Sequence, residues 1–576
     1  MTGPVYTIEN ECQDCYKCVR HCPVKAIRIV NGKASVIPHA CVACGECVKV
    51  CPAHAKKIRS DLARLKELLA SGAKLYASVA PSYAGYFKDV MIGQLAAALR
   101  KAGFAGVSET AHGAESVSAH VSRLLDQTDS PLVISSACPA AVDMIRRYLP
   151  DYAKFISPLP SPVRAHCRLL KEKYGAESKV VFFGPCAAKK NEADAYSDVL
   201  ALACVFSALE QLLAEKGIGF DEEEELALGP AEEGRFYCVE GGMNDTLRDG
   251  RTSVRYISVS GLENLKRVLP PDPDSRKNAR RKIFLEVLAC PGGCVNGPSM
   301  PSDGGSIATL YATDAEAPIQ ASGGRCFSHC GVTDYPARAV VENEPDEAAM
   351  AQALARVGKF TRADELNCGA CGYETCREFA RALINGKAEE AQCHTFLKKN
   401  FQRKSNALIK YIPAGVVLVD GKGLIVECNR DFAELSGQVG VYDTLGNLNG
   451  IVVNELMAEF KDLFEGALRH GSEIVKYRQT WQNRIVNVSF FPIAKGEFAG
   501  AVVQDVTQNE GRREEIAAKA REVVRKNVFT VQQVARLFGE HIAETEIMLN
   551  EIAGSYESHT EGTRLRGEDD GSYLNG

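Results

Sequence analysis

No apolar run in this 576-residue chain reaches the ~18 residues needed to span a bilayer. A basic excess is missing too: the formal net charge is −5, which leaves no footprint for nucleic acid. The densest charge run, 221–225, is acidic and reads as a solvated loop or helix edge. No signal-type leader precedes the first cysteines, so a cytoplasmic location is expected. Kinase, phosphatase and DNA-binding segments are lacking, so any output is expected to pass to another protein. The length excludes a single core and allows about three to five domains.

Cysteine is what the chain has in quantity, 22 in all. A disulfide frame would suit a secreted protein, whereas repeated C-x2-C spacing in a reducing compartment argues for metal. Residues 1–60 carry one motif twice. The first copy is Cys12, Cys15, Cys18 and Cys22-Pro23; the second is Cys41, Cys44, Cys47 and Cys51-Pro52. This run resembles that of bacterial two-cluster ferredoxins, in which the fourth thiolate of each copy crosses to the other cluster. By that rule one 4Fe–4S cluster takes Cys12, Cys15, Cys18 and Cys51, and the other takes Cys41, Cys44, Cys47 and Cys22. Zinc is the rival for four thiolates, but the doubled motif favours iron–sulfur cubes.

Residues 61–75 have helical spacing and read as a link. From 76 to about 340, short apolar runs alternate with helical stretches, which predicts an α/β domain with parallel strands ending at a common edge. LYASVA leads to Ala80-Pro81-Ser82, and PLVISSA leads to Cys138. KVVFFG leads to Cys186, and KIFLEVLA leads to the turn Cys290–Cys294. Ligands gather at the carboxyl ends of such strands. Gly292 and Gly293 let backbone pass close to a cluster with positive φ. Cys138, Cys186, Cys290 and Cys294 are therefore expected to hold one iron–sulfur centre.

A double-cluster ferredoxin followed by A-C-P, P-C-x-x-K-x-x-E and A-C-P-G-G-C resembles the iron–iron hydrogenases, over residues 1 to about 340. The resemblance implies an H-cluster, in which a 4Fe–4S cube is linked to a two-iron subsite carrying carbon monoxide, cyanide and a dithiolate. Cube ligands would be Cys138, Cys186, Cys290 and Cys294, with Cys294 as the bridge. Lys189 would pair with one cyanide. The Ala80-Pro81-Ser82 loop would pack on the dithiolate and offer Ser82 to the other cyanide, while Glu192 would be structural. Hydrogen, a redox partner and maturation proteins for the subsite are implied as partners.

Several positions depart from the family pattern. Ala137 stands where catalytic members carry a thiol that passes protons. The helix around HGAESVSAHVSRL has Glu115 early, with His120 where the relay acid is expected. Gly184 and Leu288 replace methionines, and Asn296-Gly297-Pro298 replaces a glycine-rich tail. Together these look like the sensory branch of the family.

Cys368, Cys371, Cys376 and Cys393 resemble a small 4Fe–4S domain, with zinc as the alternative. Cys167, Cys204, Cys238, Cys326, Cys330 and Cys428 read as structural thiols, although Cys326, His329 and Cys330 could supply ligands. The stretch YIPAGVVLVDGKGLIVECN reads as a β-hairpin. Helices and three more strands follow, an order that resembles a PAS domain of unreadable cofactor, with His470 and Trp481 structural. The segment after 508 is helical, either a dimerising coiled coil or a helix on its own chain, and a polar tail follows from Ser555.

The expected fold class is multidomain, α/β plus α+β. It comprises a two-cluster ferredoxin-like domain (1–60), an H-cluster domain (61–345), a 4Fe–4S domain (346–402), a PAS domain (403–508) and a helical tail (509–576). The expected function is a sensory hydrogenase of low turnover, with three 4Fe–4S clusters and an H-cluster, reporting to a downstream signalling protein. A working hydrogenase with an atypical proton path is one alternative. An electron-transfer protein without the two-iron subsite is the other.

Overall fold

The computed structural model describes residues 3–247, 251–270, 281–301, 330–507, 522–528, 530 and 564–565. Cys326, His329 and most of the expected C-terminal helix and tail lie outside the described residues. The chain divides into two compact units, residues 1–394 and 395–576.

In the first unit, β1 (Val5–Thr7) pairs antiparallel with β4 (Lys56–Ile58), so the two ends of the cysteine repeat meet. Between them β2 (Ile27–Val30) and β3 (Lys33–Val36) form a hairpin. The short helices Lys17–Arg20 and Glu46–Lys49 occupy equivalent places in the two copies. The linking helix forms at Leu62–Ala70.

The α/β region is built on two parallel sheets, which corrects the expectation of one common edge. One sheet has the order β6 (Gly106–Glu109), β5 (Leu75–Val79), β8 (Lys179–Phe183), β9 (Leu202–Cys204). The other has the order β10 (Val254–Ser260), β11 (Lys282–Leu288), β7 (Leu132–Ile134). All these pairings are parallel. Helices Ala111–Gln127 and Pro162–Tyr174 pack against each other. Val163, Cys167 and Leu170 fill the core of the first sheet, and Ala114, Val117, Val121 and Ala165 fill that of the second. This helix pair is apolar toward both cores, so it separates strands that alternation alone would have merged. At the crossing, a side chain on Gly113 would meet the Pro162 carbonyl at 2.0 Å.

After 340, helices Glu347–Arg356 and Cys376–Ile384 pack through Met350, Ala353, Leu354, Cys376 and Ala380. Asp346 and Thr375 cap them by accepting from the Ala349 and Glu378 amides at 2.7 and 3.0 Å.

The second unit holds an antiparallel sheet. Its order is β13 (Ile425–Cys428), β12 (Gly415–Asp420), β16 (Phe498–Asp505), β15 (Arg484–Ala494), β14 (Ile474–Trp481), and residues 564–565 add to the β14 edge. The Asp420 carboxylate closes the hairpin by accepting from the Lys422 and Leu424 amides, both at 2.9 Å. Phe432, Phe460, Phe464, Trp481 and Phe490 fill the core. Trp481 is 2% exposed and donates to the Leu456 carbonyl at 3.3 Å, a structural role.

Candidate metal centres

The duplicated cysteine motif has a duplicated backbone. Asp14 and Ala43, each two residues after the first Cys of a copy, have φ of 53° and 53°. Tyr16 and Gly45 follow the second Cys with 55° and 78°, and Lys25 and His54 follow each Cys-Pro with 47° and 51°. Each left-handed non-glycine residue costs about 1–3 kcal/mol, strain that persists where loops must curl around something.

The structure brings the thiols into two groups. Cys12, Cys15, Cys18 and Cys51 line one cavity together with Tyr16 and Lys56. Burial, followed by the neighbouring Cys12, Cys15 and Cys51 but eased by Lys56, pushes Cys18 up to about 11. In the second group burial raises Cys47, and Cys44, Cys22 and Cys41 raise it further. Buried thiolates crowded in this way need a cationic partner, which suits an iron–sulfur cube. Among the described residues no three His, Cys, Asp or Glu side chains are arranged around a single metal ion.

The central site lies where both parallel sheets end. Cys138 follows β7 and opens helix Pro139–Tyr148, and Cys186 follows β8 just before helix Ala188–Ala195. Cys290 and Cys294 flank the turn after β11. Burial raises Cys290 far above its ordinary value, with Cys294, Cys186 and Cys138 adding to the effect. Cys294 is likewise raised by burial, then by Cys186 and Cys138, with Lys189 opposing. Gly293 has φ of +105°, and a Cβ there would stand 2.5 Å from the Cys238 carbonyl, so the turn tolerates no side chain.

Around these thiols the side chains are dry. The Lys189 ammonium donates to Glu192 at 2.8 Å, with side-chain exposures of 9% and 7%. The Ala80 amide donates to the Phe183 carbonyl at 2.9 Å, which lays the Ala80-Pro81-Ser82 loop beside the strand that leads to Cys186. A Cβ on Gly184 would lie 2.4 Å from the Phe182 ring and 3.1 Å from Ala80 Cβ, so a side chain fits there only if that ring moves. The Ser82 hydroxyl is fully buried and meets no hydrogen-bond partner among the described residues.

The relay expected from helix Ala111–Gln127 takes a different form. Ala137 packs on a cluster that contains Ala114, Val117, Tyr237 and Met243, and its amide donates to the Ser135 hydroxyl at 3.2 Å. The Glu115 carboxylate accepts from the Glu232 amide at 2.6 Å, and His120 Nδ1 lies 2.7 Å from the Ser116 carbonyl. Helical phase decides this: Ala114 and Val117 share the stripe that faces Ala137's cluster, while His120 stands outside it.

Sequence reasoning missed two buried polar assemblies. Arg235 makes a two-pronged pair with Glu109 at 2.7 and 2.8 Å, fixing the short helix Glu233–Cys238 beside Cys294. His166 lies between Ser78 at 2.8 Å and Ser108 at 2.9 Å, and burial, with His112 adding, holds it well below its ordinary value. Both join residues remote in sequence, and no local motif marks them.

The ferredoxin-like region meets the central site through its second thiol group. Arg147 donates to the His39 and Cys41 carbonyls at 2.8 and 3.0 Å, and Tyr148 donates to Ala40 at 2.6 Å. Ala43, Ala140 and Ala188 are buried together beside Cys44, Cys138 and Cys186. Near the end of the first unit, burial raises Cys371, and the neighbouring Cys393, Cys368 and Cys376 raise it further while the Tyr373 amide opposes. Cys167, Cys204, Cys330 and Cys428 are packed into apolar cores.

Residues 73–252 and 244–298 match the family described as iron only hydrogenase large subunit, C-terminal domain. Over these residues the chain is similar to the iron-only hydrogenases. Residues 4–52 match a 4Fe-4S dicluster domain, and 364–394 match a family described as an Fe-S cluster segment. It is 28% identical over 375 residues to the periplasmic Fe hydrogenase large subunit of Nitratidesulfovibrio vulgaris, covering 53% of this chain and 88% of that protein. It is 26% identical over 294 residues to an NADP-reducing hydrogenase subunit of Solidesulfovibrio fructosivorans, covering 40% of this chain and 50% of that protein. A solved iron–iron hydrogenase from Chlamydomonas reinhardtii superposes with a TM-score of 0.35 at 19% identity, covering 45% of this chain and 89% of the other. Among the described residues no helix is long and apolar enough to cross a membrane.

Proposed function

We propose that this protein is a low-turnover, sensory iron–iron hydrogenase. It binds or slowly and reversibly oxidises hydrogen and passes its redox state through iron–sulfur clusters to the C-terminal unit. The observation that carries this reading is the buried Ser82 hydroxyl beside the strand that leads to Cys186, which meets no hydrogen-bond partner among the described residues. Leaving such a group unmet costs about 1–3 kcal/mol, and an anionic acceptor would offset it. A plain cube has no use for that donor, so the reading without a two-iron subsite is disfavoured.

In this proposal Cys138, Cys186, Cys290 and Cys294 would hold the cube, and Cys294 would also serve the two-iron subsite. Lys189 and Ser82 would offer donors to its cyanide ligands, with Ala80 and Pro81 lining its place. When bound, the H-cluster supplies heterolytic cleavage of hydrogen. The chain's own residues keep the pocket dry, orient the ligands and pair Lys189 with Glu192 at 2.8 Å. Ala137 has no side-chain proton to hold and packs on an apolar cluster, which supports slow proton exchange.

The sheet order β13-β12-β16-β15-β14 with helices between β13 and β14 supports reading the second unit as a PAS-type signalling domain. A cytoplasmic location, an unidentified redox partner, maturation proteins and a downstream signalling protein complete the proposal. Infrared spectroscopy of the matured protein tests it. Carbon monoxide and cyanide stretching bands that respond to hydrogen are expected, and their absence after maturation would overturn it.

A further inference from the structure

The small cysteine segment 364–394 has a location that its place in the sequence does not suggest. It is joined to the α/β region by the chain, yet the loop around Cys371 is fastened to the ferredoxin-like region. Arg20 Nη1 donates to the Ala370 carbonyl at 2.9 Å, while its Nη2 donates to the Cys15 carbonyl at 3.0 Å. Lys25 donates to the Gly372 carbonyl at 2.9 Å, and to its own Val19 and Arg20 carbonyls at 3.2 and 3.1 Å. Both carbonyls that flank Cys371 are thus held by cations of one turn. Gly372 has φ of +97°, and a Cβ on it would lie 2.8 Å from Val19 Cγ1, so the loops touch with no room for a side chain.

A second seam fixes the orientation. The Ile29 amide donates to the Lys387 carbonyl at 2.9 Å. The Asn31 and Gly32 amides donate to the two oxygens of Glu389 at 2.6 and 3.1 Å. The exposed edge and turn of the β2–β3 hairpin are therefore used up by this segment. Tyr373, 4% exposed, lies within electrostatic reach of both Cys371 and Cys22.

The turn that is gripped carries Cys18 and Cys22, which belong to the two different ferredoxin thiol groups. On another side the Cys22 group abuts the central site through Arg147, Tyr148 and Ala43. We infer that the thiols of 364–394 form an electron port mounted on the ferredoxin-like region, making the relay branched. One arm leads through Cys12, Cys15, Cys18 and Cys51. The other leads through Cys368, Cys371, Cys376 and Cys393, and both meet at the Cys18–Cys22 turn. The inference rests on the proposed iron–sulfur loading of these thiols. Loaded with cubes, the two loops would exchange a single electron, donated by the reduced ferredoxin side and accepted by the oxidised port, with no bond formed or broken and no proton moved. Tunnelling falls off steeply with distance, so Arg20 and Lys25 act as positioning residues by holding the loops in contact. Cys368 is exposed and gives the port an outward face.

The test is electron paramagnetic resonance of the full-length, cluster-loaded protein reduced by dithionite, a reductant that needs no hydrogen chemistry. Magnetic splitting between port and ferredoxin signals is expected. Cys371→Ser should remove one cube of iron and at least halve that splitting. Arg20→Gln with Lys25→Gln keeps every cysteine; it should leave iron content unchanged, reduce the splitting at least twofold and slow reduction of the port signal. Unsplit wild-type signals, or splitting unchanged in the Arg20/Lys25 variant, would overturn the port. Running hydrogen as reductant in parallel separates the two ideas. Coupling without a hydrogen response keeps the port and removes the hydrogenase reading, and the reverse removes the port alone.

Discussion

Ser82 and Ala137 pull in opposite directions, and each is testable by one atom group. Ser82→Ala removes a buried hydroxyl that has no partner among the described residues. The cluster-free chain should gain about 1 kcal/mol in urea denaturation, since an unmet group is lost. In the matured protein the same change should move a cyanide stretching band in the infrared. A loss of stability in the cluster-free chain would show that the hydroxyl is satisfied in another way. Ala137→Cys restores a group able to carry a proton. Hydrogen evolution from a reduced viologen should rise at least about tenfold, toward the roughly 10²–10⁴-fold range of general acid–base gains. Unchanged turnover would mean that the apolar surround of Val117 and Ala114, not the missing thiol, sets the rate. The cysteines, Lys189 and Ser82 were legible as residues because their motifs are local. The Glu109–Arg235 pair was not, because its partners lie 126 residues apart.

Strands and turns show where local chemistry speaks and where it stops. The apolar runs before Cys138, Cys186 and Cys290 do form strands, and the Asp420 turn does close a hairpin. Division of the parallel strands into two sheets was illegible, since it depends on a helix pair that is apolar toward both cores. One strand start gives a pH handle. Glu473, just before β14, is half-buried, and burial raises its carboxyl to about 7 from an ordinary value of 4.5. The unfolded chain binds fewer protons than the folded one in that window. Stability of the second unit should therefore fall as pH rises from 4.5 to about 7. Glu473→Gln should flatten that slope and raise the thermal midpoint at pH 8. An unchanged slope would place the titration on another group.

At the scale of the whole molecule, every cysteine assigned to a cluster lies within residues 1–394, the first compact unit. A chain ending at His394 should therefore fold and keep the full iron content and the infrared bands of the matured protein. Iron loss on that truncation, measured by colorimetric iron assay, would show that the second unit supports a cluster. At this scale composition pointed one way: 22 cysteines, most of them in repeated short-range motifs, made metal chemistry the theme.

By itself the sequence determined the donors. Thiol spacing, Cys-Pro pairs and turn glycines are short-range properties, so they can be read without a fold, whereas the left-handed non-glycine positions repeated in both ferredoxin copies emerged only from the backbone. Only the tertiary structure decided which groups meet. The two sheets aim four thiols from distant segments at one place, an apolar stripe faces Ala137, and Arg20 and Lys25 seat the last cysteine loop on the first domain. Each of these depends on packing between remote segments, where burial and side-chain phase outweigh any local signal.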